Sequence, residues 1–261
     1  MNRTASFAEI RTQRDILLFR FAEKQVLVVA CDSAGGIGPK SLDKLRVSGE
    51  VVGRFTARVA LMEVLSAGAR PFLVVSTLPV EPYPTAAQIV KGVRSELRRA
   101  KIRGDIPMLR SSEKNIPVRQ TGVGVTVLGT VPNPKLRVGK SRPGDLVVAI
   151  GLPHVGSELI QGEKKCRVAD LGDLLALLKS PRVHDIIPVG SVGILREAQV
   201  IAGDSGLKFR SISPDGIDLG KSAGPATVLL CSVSPSGYKG VSSHTNKPVR
   251  TIGALEEPRG F

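Results

Sequence analysis

Aromatic side chains are the scarcest feature of this sequence. It has no tryptophan, and only 3% of its 261 residues are aromatic. Platforms for stacking on bases are therefore few, which argues against nucleic acid as a partner although the formal net charge is +14. The positive excess still favours an anionic partner, and small phosphorylated molecules fit best. Steeply salt-dependent DNA binding would be the signature of the alternative, a basic nucleic-acid-binding module.

Cysteines and long apolar runs are also limited. None of the three cysteines belongs to a CxxC pair, so the sequence signals neither a zinc clip nor a redox pair. Cys31 and Cys231 lie in apolar runs and are interpreted as buried thiols, which fits a reducing compartment. No signal-peptide core is present, and no apolar run approaches the roughly 18 residues of a membrane helix. We therefore expect a cytoplasmic protein with no membrane partner.

Several enzyme motifs are missing as well. The glycine-rich segment 32–40 follows neither GxxxxGK[ST] nor GxGxxG, so it is neither a P-loop nor a Rossmann fingerprint. There is no GxSxG elbow, and the three histidines lack zinc-ligand spacing. Hydrolase chemistry thus has no positive support in the sequence.

Apolar runs alternate with amphipathic segments along the chain, which predicts an α/β or α+β fold. The predicted strands are 25–31, 71–79, 106–109, 122–131, 145–151, 186–189 and 226–233, and the predicted helices are 51–67, 85–103, 170–179 and 191–202. Ser191 is the predicted N-cap of the last helix. Proline and glycine cluster between residues 132 and 144, so we predict domains 1–138 and 139–261. The polar tail from Ser234 is predicted to be loop-like.

Four places could carry chemistry, and each also has a plain structural interpretation. Asp32 ends a predicted buried strand beside free backbone N–H groups and could hold Mg²⁺, or it could be a turn residue. Glu63 interrupts an apolar helix face, where a carboxylate needs water, a cation or a metal. The segment 110–115 could offer hydroxyls to a phosphate and a carboxylate to a metal, or be a surface loop. The segment 184–193 opens a helix that suits an anion, with His184 as a base or a surface histidine.

Four longer segments carry a family resemblance. Val29-Ala-Cys-Asp32 resembles a strand that ends in a magnesium-binding aspartate, and the helix from Val52 ends in Gly-Ala-x-Pro at Pro71. The segments Arg142–Gly151 and Ala223–Thr227 resemble the strand that opens a second domain and a late glycine–proline turn. Together they resemble the PurM-like ATP-using proteins, which include aminoimidazole ribonucleotide (AIR) synthetase, thiamine-monophosphate kinase and the hydrogenase-maturation dehydratase.

The resemblance implies a two-domain PurM-like fold, with an N-terminal mixed sheet and helices followed by a C-terminal α/β domain. It also implies a homodimer in which N-terminal strands pair across subunits. Two family motifs are missing. Only Asp15 could replace the N-terminal Gly-Asp-Asp, and Val189-Gly-Ser-Val-Gly-Ile194 stands where the family has Ser-Asp-Gly-Leu. The segments 32–38 and 184–191 look most like the branch of α-ribazole kinases, which phosphorylate a ribose hydroxyl in cobalamin lower-ligand salvage.

This resemblance implies Mg²⁺ and ATP as cofactors and a small nucleoside as substrate. The expected metal ligands are Asp32, Glu63 and Glu113. The expected nucleotide-binding residues are Gly35, Gly36, Gly38, Lys40, Arg54, Ser111 and Ser112. The expected substrate-binding residues are Ser33, His184, Gly190 and Ser191. Arg58 would neutralise charge on the transferred phosphoryl group, and Asp185 would orient the acceptor hydroxyl.

Other functions stay open on the sequence alone. A thiamine-monophosphate kinase or an AIR-synthetase-type ligase would share the ATP site and differ in the acceptor. A non-catalytic nucleotide binder is the alternative of a different class, because the second-domain Ser-Asp-Gly-Leu motif is missing.

Overall fold

Two β-sheets and six α-helices organise the residues that the computed structural model describes, which are 9–102, 104–212 and 214–258. The strands are β1 (Ile10–Gln13), β2 (Ile16–Ala22), β3 (Gln25–Gly35), β4 (Ile37–Gly38), β5 (Leu45–Arg46), β6 (Arg70–Leu78), β7 (Met108–Ser112), β8 (Gly122–Pro132), β9 (Leu146–Ile150), β10 (Val183–Pro188), β11 (Lys208–Ser211), β12 (Leu229–Val233) and β13 (Val249–Glu256). The helices are α1 (Gly49–Ser66), α2 (Ala87–Arg99), α3 (Glu158–Lys164), α4 (Leu171–Lys179), α5 (Ile194–Gly203) and α6 (Tyr238–Ser243). Strands β4 and β5 form a small parallel pair of their own.

The first large sheet has the strand order β1-β2-β3-β8-β6-β7. Its pairs are antiparallel except β6 with β7. Along β3, Val26, Val28 and Ala30 are buried while the residues between them are partly exposed. This alternation is the period-2 pattern of a sheet with one face on a core. Asp32 continues the buried series and therefore lies on the core face.

Helices α1 and α2 pack against each other on the core side of this sheet. Helix α1 begins at the N-cap Ser48, whose side chain accepts a hydrogen bond from the Val51 N–H. The two helices approach closely because both carry glycine at the crossing. A Cβ added at Gly53 would lie 2.0 Å from the Ile89 carbonyl oxygen, and one at Gly92 would lie 2.1 Å from the Glu50 carbonyl oxygen. Any larger residue at either position would force the helices apart.

The second large sheet has the order β10-β12-β9-β13-β11, and all its pairs are antiparallel. Strand β12 is buried at every position, since both faces of the sheet are covered. One face shares a continuous apolar core with α1 and the first sheet. The other face packs against α5 in a separate apolar cluster that includes Ile194, Ala198 and Ile201. Helix α1 thus touches both halves of the molecule and can carry a site between them.

The predicted fold class is confirmed: the molecule has mixed α/β structure in two sheets. Several local predictions are wrong. Strand β3 does not end at Cys31 but runs through Gly35. The polar tail is not loop-like, because β13 pairs with both β9 and β11. Helix α5 is capped by Gly193 rather than Ser191.

Other elements were not expected at all, namely the β1–β2 hairpin, α3 and β11. Cys231 is buried as predicted, whereas Cys31 is exposed because it lies on the outer face of the first sheet. The boundary at residue 138 stays a prediction. The N-terminal eight residues and the last three lie outside the described residues. None of the described helices combines the length and apolar character needed to cross a membrane.

Candidate functional site: an acidic cleft between the two sheets

Four carboxylates, Asp15, Asp32, Glu63 and Glu197, surround a cleft between the two halves of the molecule. The first three line a cavity of about 630 Å³ that also contacts Gly190. A Cβ added at Gly190 would lie 3.8 Å from Glu197 Oε1 and 3.9 Å from Asp15 Oδ2, so these two carboxylates flank the same glycine. We call this group of four the acidic cleft. No Lys, Arg or His of the described residues forms an ion pair with any of them.

Asp32 projects from β3 towards helix α1 and is half-buried. Burial raises the pKa of its carboxyl group to about 6, and the charge of Asp15 adds to the shift. A hydrogen bond from the Ser33 backbone acts in the opposite direction and lowers this pKa in part. The carboxylate is thus held near other negative charge with little compensation.

Glu63 lies on α1 and is 5% exposed. Burial raises its pKa well above the ordinary value, and the nearby charges of Asp15, Glu197 and Asp32 raise it further. Arg14 acts in the opposite direction without forming an ion pair with it. Burying a carboxylate in this way costs stability unless a cation balances it.

Glu197 comes from α5 in the second half of the molecule. Burial raises its pKa to about 7, and the charge of Asp15 adds to the shift. The Gly190 backbone donates a hydrogen bond to Glu197 that lowers the pKa of this carboxyl group in part. The charge of Asp15, an exposed residue, thus raises the pKa of two carboxylates from the first half and of one from the second.

Arg14 fixes the position of Asp15. It occupies the tip of the β1–β2 hairpin with a φ of 57°, in the left-handed region. Its guanidinium donates to Asp185 Oδ2 at 2.6 Å, to Asp204 Oδ2 at 2.6 Å and to the Ile186 carbonyl oxygen at 3.1 Å. Its side chain is only 3% exposed. This buried pairing ties the hairpin of the first half to β10 and the end of α5 in the second.

The donor set of the acidic cleft fits magnesium. Mg²⁺ prefers oxygen ligands and is usually held by one or two carboxylates together with substrate phosphates. Within residues 9–102, 104–212 and 214–258, no group of three or more His, Cys, Asp or Glu side chains is placed so that it could hold a metal ion by itself. Asp32, Glu63 and Glu197, whose pKa values are raised, would, however, be stabilised by a divalent cation. The arrangement therefore suits an ion that the phosphates of a ligand help to hold.

The structure brings only some of the predicted site residues to this cleft. Asp32, Glu63, Gly190 and Ser191 all line it. The other predicted residues lie elsewhere.

The segment 110–115 lies at a second cavity. Ser111, Ser112 and Glu113 line a separate space of about 670 Å³ together with Arg110 and Lys114. Strand β7, which carries the serines, is separated from β3 by β6 and β8 in the sheet order. The Glu113 carboxylate accepts hydrogen bonds from the backbone N–H groups of Asn115 and Ile116. The structure therefore does not bring Glu113 together with Asp32 and Glu63, as the sequence led us to expect.

The glycine-rich segment 32–40 is an anchored strand and turn. Gly36 and Gly38 have positive φ values of 67° and 149°. A Cβ at Gly38 would lie 2.4 Å from the Thr121 hydroxyl oxygen, so the glycine permits this close approach to β8. Lys40 pairs with Glu81 at 2.6 Å rather than pointing at either cavity. Ser33 and Gly35 line a neighbouring apolar cavity, which also contacts Asp32.

Two predicted phosphate ligands have structural partners instead. Arg58 is fully buried and donates to Glu96 at 2.6 Å and to Glu163 at 3.2 Å. Arg54 forms a two-point pair with Glu163 at 2.5 and 2.6 Å. Both guanidiniums also lie against the Phe55 ring, at 4.5 and 4.6 Å from its centroid. This corrects the catalytic role expected for Arg58, because its side chain has no access to a substrate.

Asp185 and His184 need the same correction. Asp185 is fully buried and accepts hydrogen bonds from Arg14, Gly139 N–H and the Ile186 N–H. The geometry makes it an anchor for the hairpin and not a group that orients an acceptor. His184 Nδ1 lies 2.7 Å from Asp145 Oδ2, and neither side chain lines the acidic cleft.

Arg14 and Glu197 were missed by the sequence analysis. Glu197 lies in an amphipathic helix just after a glycine-rich turn. At such a position a glutamate is expected to face solvent. Arg14 belongs to a hairpin that the sequence analysis did not find, and its partners lie 171 and 190 residues away. A signal did exist: Arg14-Asp15 is a charged pair directly before the apolar run Ile16-Leu-Leu-Phe19.

The fold of this chain is similar to that of several proteins of known structure. No protein-family model matches the chain, and no curated protein matches it in sequence. Thiamine-monophosphate kinase from Stenotrophomonas maltophilia K279a matches in structure with a TM-score of 0.60 and 17% identity, over 98% of this chain and 91% of that one. The hydrogenase maturation protein HypE in complex with ATP matches with a TM-score of 0.61 and 15% identity, over 89% and 77%. AaThiL complexed with AMPPCP and TMP matches with a TM-score of 0.57 and 15% identity, over 94% and 85%.

These likenesses establish the class of structure. The chain has the PurM-like fold, and it shares that fold with proteins solved with ATP and with AMPPCP. At 14–17% identity the likeness shows the fold alone.

Proposed function

We propose that this protein is a magnesium- and ATP-dependent small-molecule kinase that phosphorylates a ribose hydroxyl of α-ribazole. The single observation that carries the proposal is the acidic cleft, in which Asp15, Asp32, Glu63 and Glu197 form no ion pair with a basic side chain of the described residues. Charges kept together in this way cost stability, and a function that uses a cation explains their presence. The PurM-like fold supports ATP as the ligand that accompanies the cation.

The proposed mechanism divides the work between the two halves. Bound Mg²⁺ would neutralise charge on the ATP phosphates. Asp32 and Glu63 would hold the ion from the first half, and Asp15 and Glu197 would complete the negative field. Gly190 and Ser191 line the edge of the cleft. The acceptor hydroxyl would lie there, close to the carboxylates. Phosphoryl transfer depends mainly on positioning and charge stabilisation, so no covalent nucleophile is needed.

The triphosphate of the nucleotide is proposed to occupy this cleft, beside Asp32. Ser111, Ser112 and Glu113 stay candidates for nucleotide or metal contacts only through their own cavity. Arg54 and Lys40 are ion-paired in this structure and would contribute through their field rather than by direct contact.

The test is ATP consumption by the purified protein with Mg²⁺ and α-ribazole. We expect a phosphorylated nucleoside product that disappears when EDTA removes the metal. Turnover without α-ribazole, or none with it while ATP still binds, would contradict the named substrate.

A thiamine-monophosphate kinase is the second candidate. The structural match to such a kinase covers 98% of this chain, more than the match to HypE with ATP. Thiamine monophosphate run in parallel with α-ribazole separates the two activities. A non-catalytic nucleotide binder would bind ATP and turn over neither.

We also propose a homodimer, as the family resemblance implies. The face of the first sheet that is turned away from α1 exposes large apolar side chains, among them Leu17, Phe21 and Leu109. Exposed apolar patches of this kind often mark an interface, and a second copy of the chain is the expected occupant. Light scattering behind a sizing column should give twice the mass of 27.6 kDa; a monomer at micromolar concentration would contradict it.

A further inference from the structure

An apolar cavity opens next to the acidic cleft and has no role in the mechanism above. Its volume is about 430 Å³, within the range of small-molecule sites. Its walls include Val47, Val51, Val52, Phe55, Leu159 and Ile160. The cavity shares Asp32, Gly224 and Pro225 with the acidic cleft, so a ligand in one reaches the other.

The walls of this apolar cavity are fixed before any ligand arrives. On one side, Arg54 and Glu163 tie α1 to α3, which supplies Leu159 and Ile160. On the other, Asp43 accepts hydrogen bonds at 2.7 Å from the Thr121 N–H and hydroxyl and so holds the β4–β5 segment on β8. A preformed apolar wall loses little entropy when it binds a ligand.

The polar content of the cavity is low. Among the described lining residues, Asp32 is the one charged side chain, and the proposed function commits it to magnesium. The Thr56 hydroxyl is already used, because it donates to the Val52 carbonyl oxygen at 3.0 Å. A permanently charged ring would exchange its hydration here for one remaining side-chain hydroxyl of the described lining, that of Ser33. An adenine ring would leave its polar edge poorly paired, which also costs binding free energy.

We infer that this apolar cavity binds an uncharged, mostly apolar ring system of the phosphoryl acceptor, with the hydroxyl that is phosphorylated directed towards Asp32. The inference rests on the proposed function, which it deepens by assigning a place and a chemical class to the acceptor's ring. It separates the acceptor from the nucleotide, since the triphosphate needs the neighbouring cleft. It also predicts that a cationic thiazolium ring is excluded.

Binding of free benzimidazole, an uncharged bicyclic probe, tests the inference by calorimetry or chemical-shift titration. Wild-type protein should bind benzimidazole at least about tenfold more tightly than thiamine, whose ring is cationic. The variant Val51→Phe fills the cavity and should weaken benzimidazole binding by about tenfold or more. Ile212→Phe adds the same bulk at an exposed position outside the cavity and should leave binding unchanged. If Val51→Phe does not fold, Val51→Ala removes part of the same wall and should weaken binding by about threefold.

The outcomes separate this inference from the proposed function. If benzimidazole binds in a Val51-dependent way while α-ribazole is not phosphorylated, the inference holds and the proposed function fails. If α-ribazole is phosphorylated with the same KM by wild type and Val51→Phe, the function holds and the inference is overturned. Loss of affinity for a non-hydrolysable ATP analogue in Val51→Phe, with benzimidazole binding retained, would assign the cavity to adenine and also overturn it.

Discussion

Two groups of charged side chains near helix α1 invite comparison. The acidic cleft gathers four carboxylates that form no ion pair within the part of the chain that the structure describes, whereas Arg58, Glu96, Glu163 and Arg54 form a network in which every carboxylate meets a guanidinium. Both groups involve helix α1, which contributes the buried Glu63 to one and the buried Arg58 to the other. The paired network joins α1, α2 and α3 and has a structural task. The unpaired cleft costs stability, and that difference is what points to function.

The largest effect is expected from Asp32→Asn. The substitution removes the negative charge that holds the metal and should reduce magnesium-dependent turnover by at least about 100-fold. Steady-state ATP consumption measures it. Asp215→Asn, at an exposed position, is the matched control and should keep wild-type activity. Full activity in Asp32→Asn would remove this carboxylate from the site.

Arg58→Met changes the paired network, so its main expected effect is on stability rather than on turnover. It leaves Glu96 buried and uncompensated, so the free energy of unfolding should fall by about 3–5 kcal/mol. Urea denaturation measures the loss. The double variant Arg58→Met/Glu96→Leu should recover most of it, because no buried charge is left unpaired. A single variant as stable as wild type would show that the pairing contributes little.

Glu197→Gln should stabilise the protein in the absence of metal. The folded-state pKa is raised from 4.5 to about 7, so the carboxyl group's contribution is fully present below about pH 4.5 and is lost as the pH rises through 7. At pH 8 the substitution should therefore add about 1–2 kcal/mol, allowing for partial solvent access, and raise Tm. At pH 4 the wild-type group is protonated, and the two proteins should have nearly the same Tm. A lower Tm for the variant at pH 8 would mean that the carboxylate is compensated after all.

The smallest effect is expected from Glu113→Gln. Its carboxylate receives two backbone hydrogen bonds at the other cavity, away from the acidic cleft. Turnover should change by less than about threefold, in the range of ordinary surface substitutions. A loss as large as that of Asp32→Asn would show that Glu113 does hold a metal, as the sequence suggested.

Much of the fold was predictable because it is local. Three elements are marked by patterns within their own segments: the apolar spacing on α1, the alternation in β8 and the apolar run that forms β12. Asp32 and Glu63 were found for the same reason, since each interrupts an apolar pattern. Strand β13 was missed because its mixed sequence, Val-Arg-Thr-Ile-Gly-Ala-Leu-Glu, lies within a polar tail and its pairing partners β9 and β11 are distant in the chain.

The partners of charged groups were not predictable. Asp185 and Asp32 look alike in sequence, as each is an aspartate beside a buried strand. Arg14 reaches Asp185 across 171 residues and makes it structural, and no such cation reaches Asp32. Which carboxylate is free depends on long-range geometry, and a single sequence contains no local signal for it.

The most direct test of the acidic cleft is titration with Mn²⁺, a paramagnetic substitute for Mg²⁺, in the presence of a non-hydrolysable ATP analogue. Water-proton relaxation reports the bound ion without any turnover. We predict that wild type and Arg54→Lys bind Mn²⁺ with similar affinity, and that Asp32→Asn and Glu63→Gln each bind it at least about tenfold more weakly. Equal binding of Mn²⁺ by wild type, Asp32→Asn and Glu63→Gln would contradict the claim that the unpaired carboxylates hold the metal.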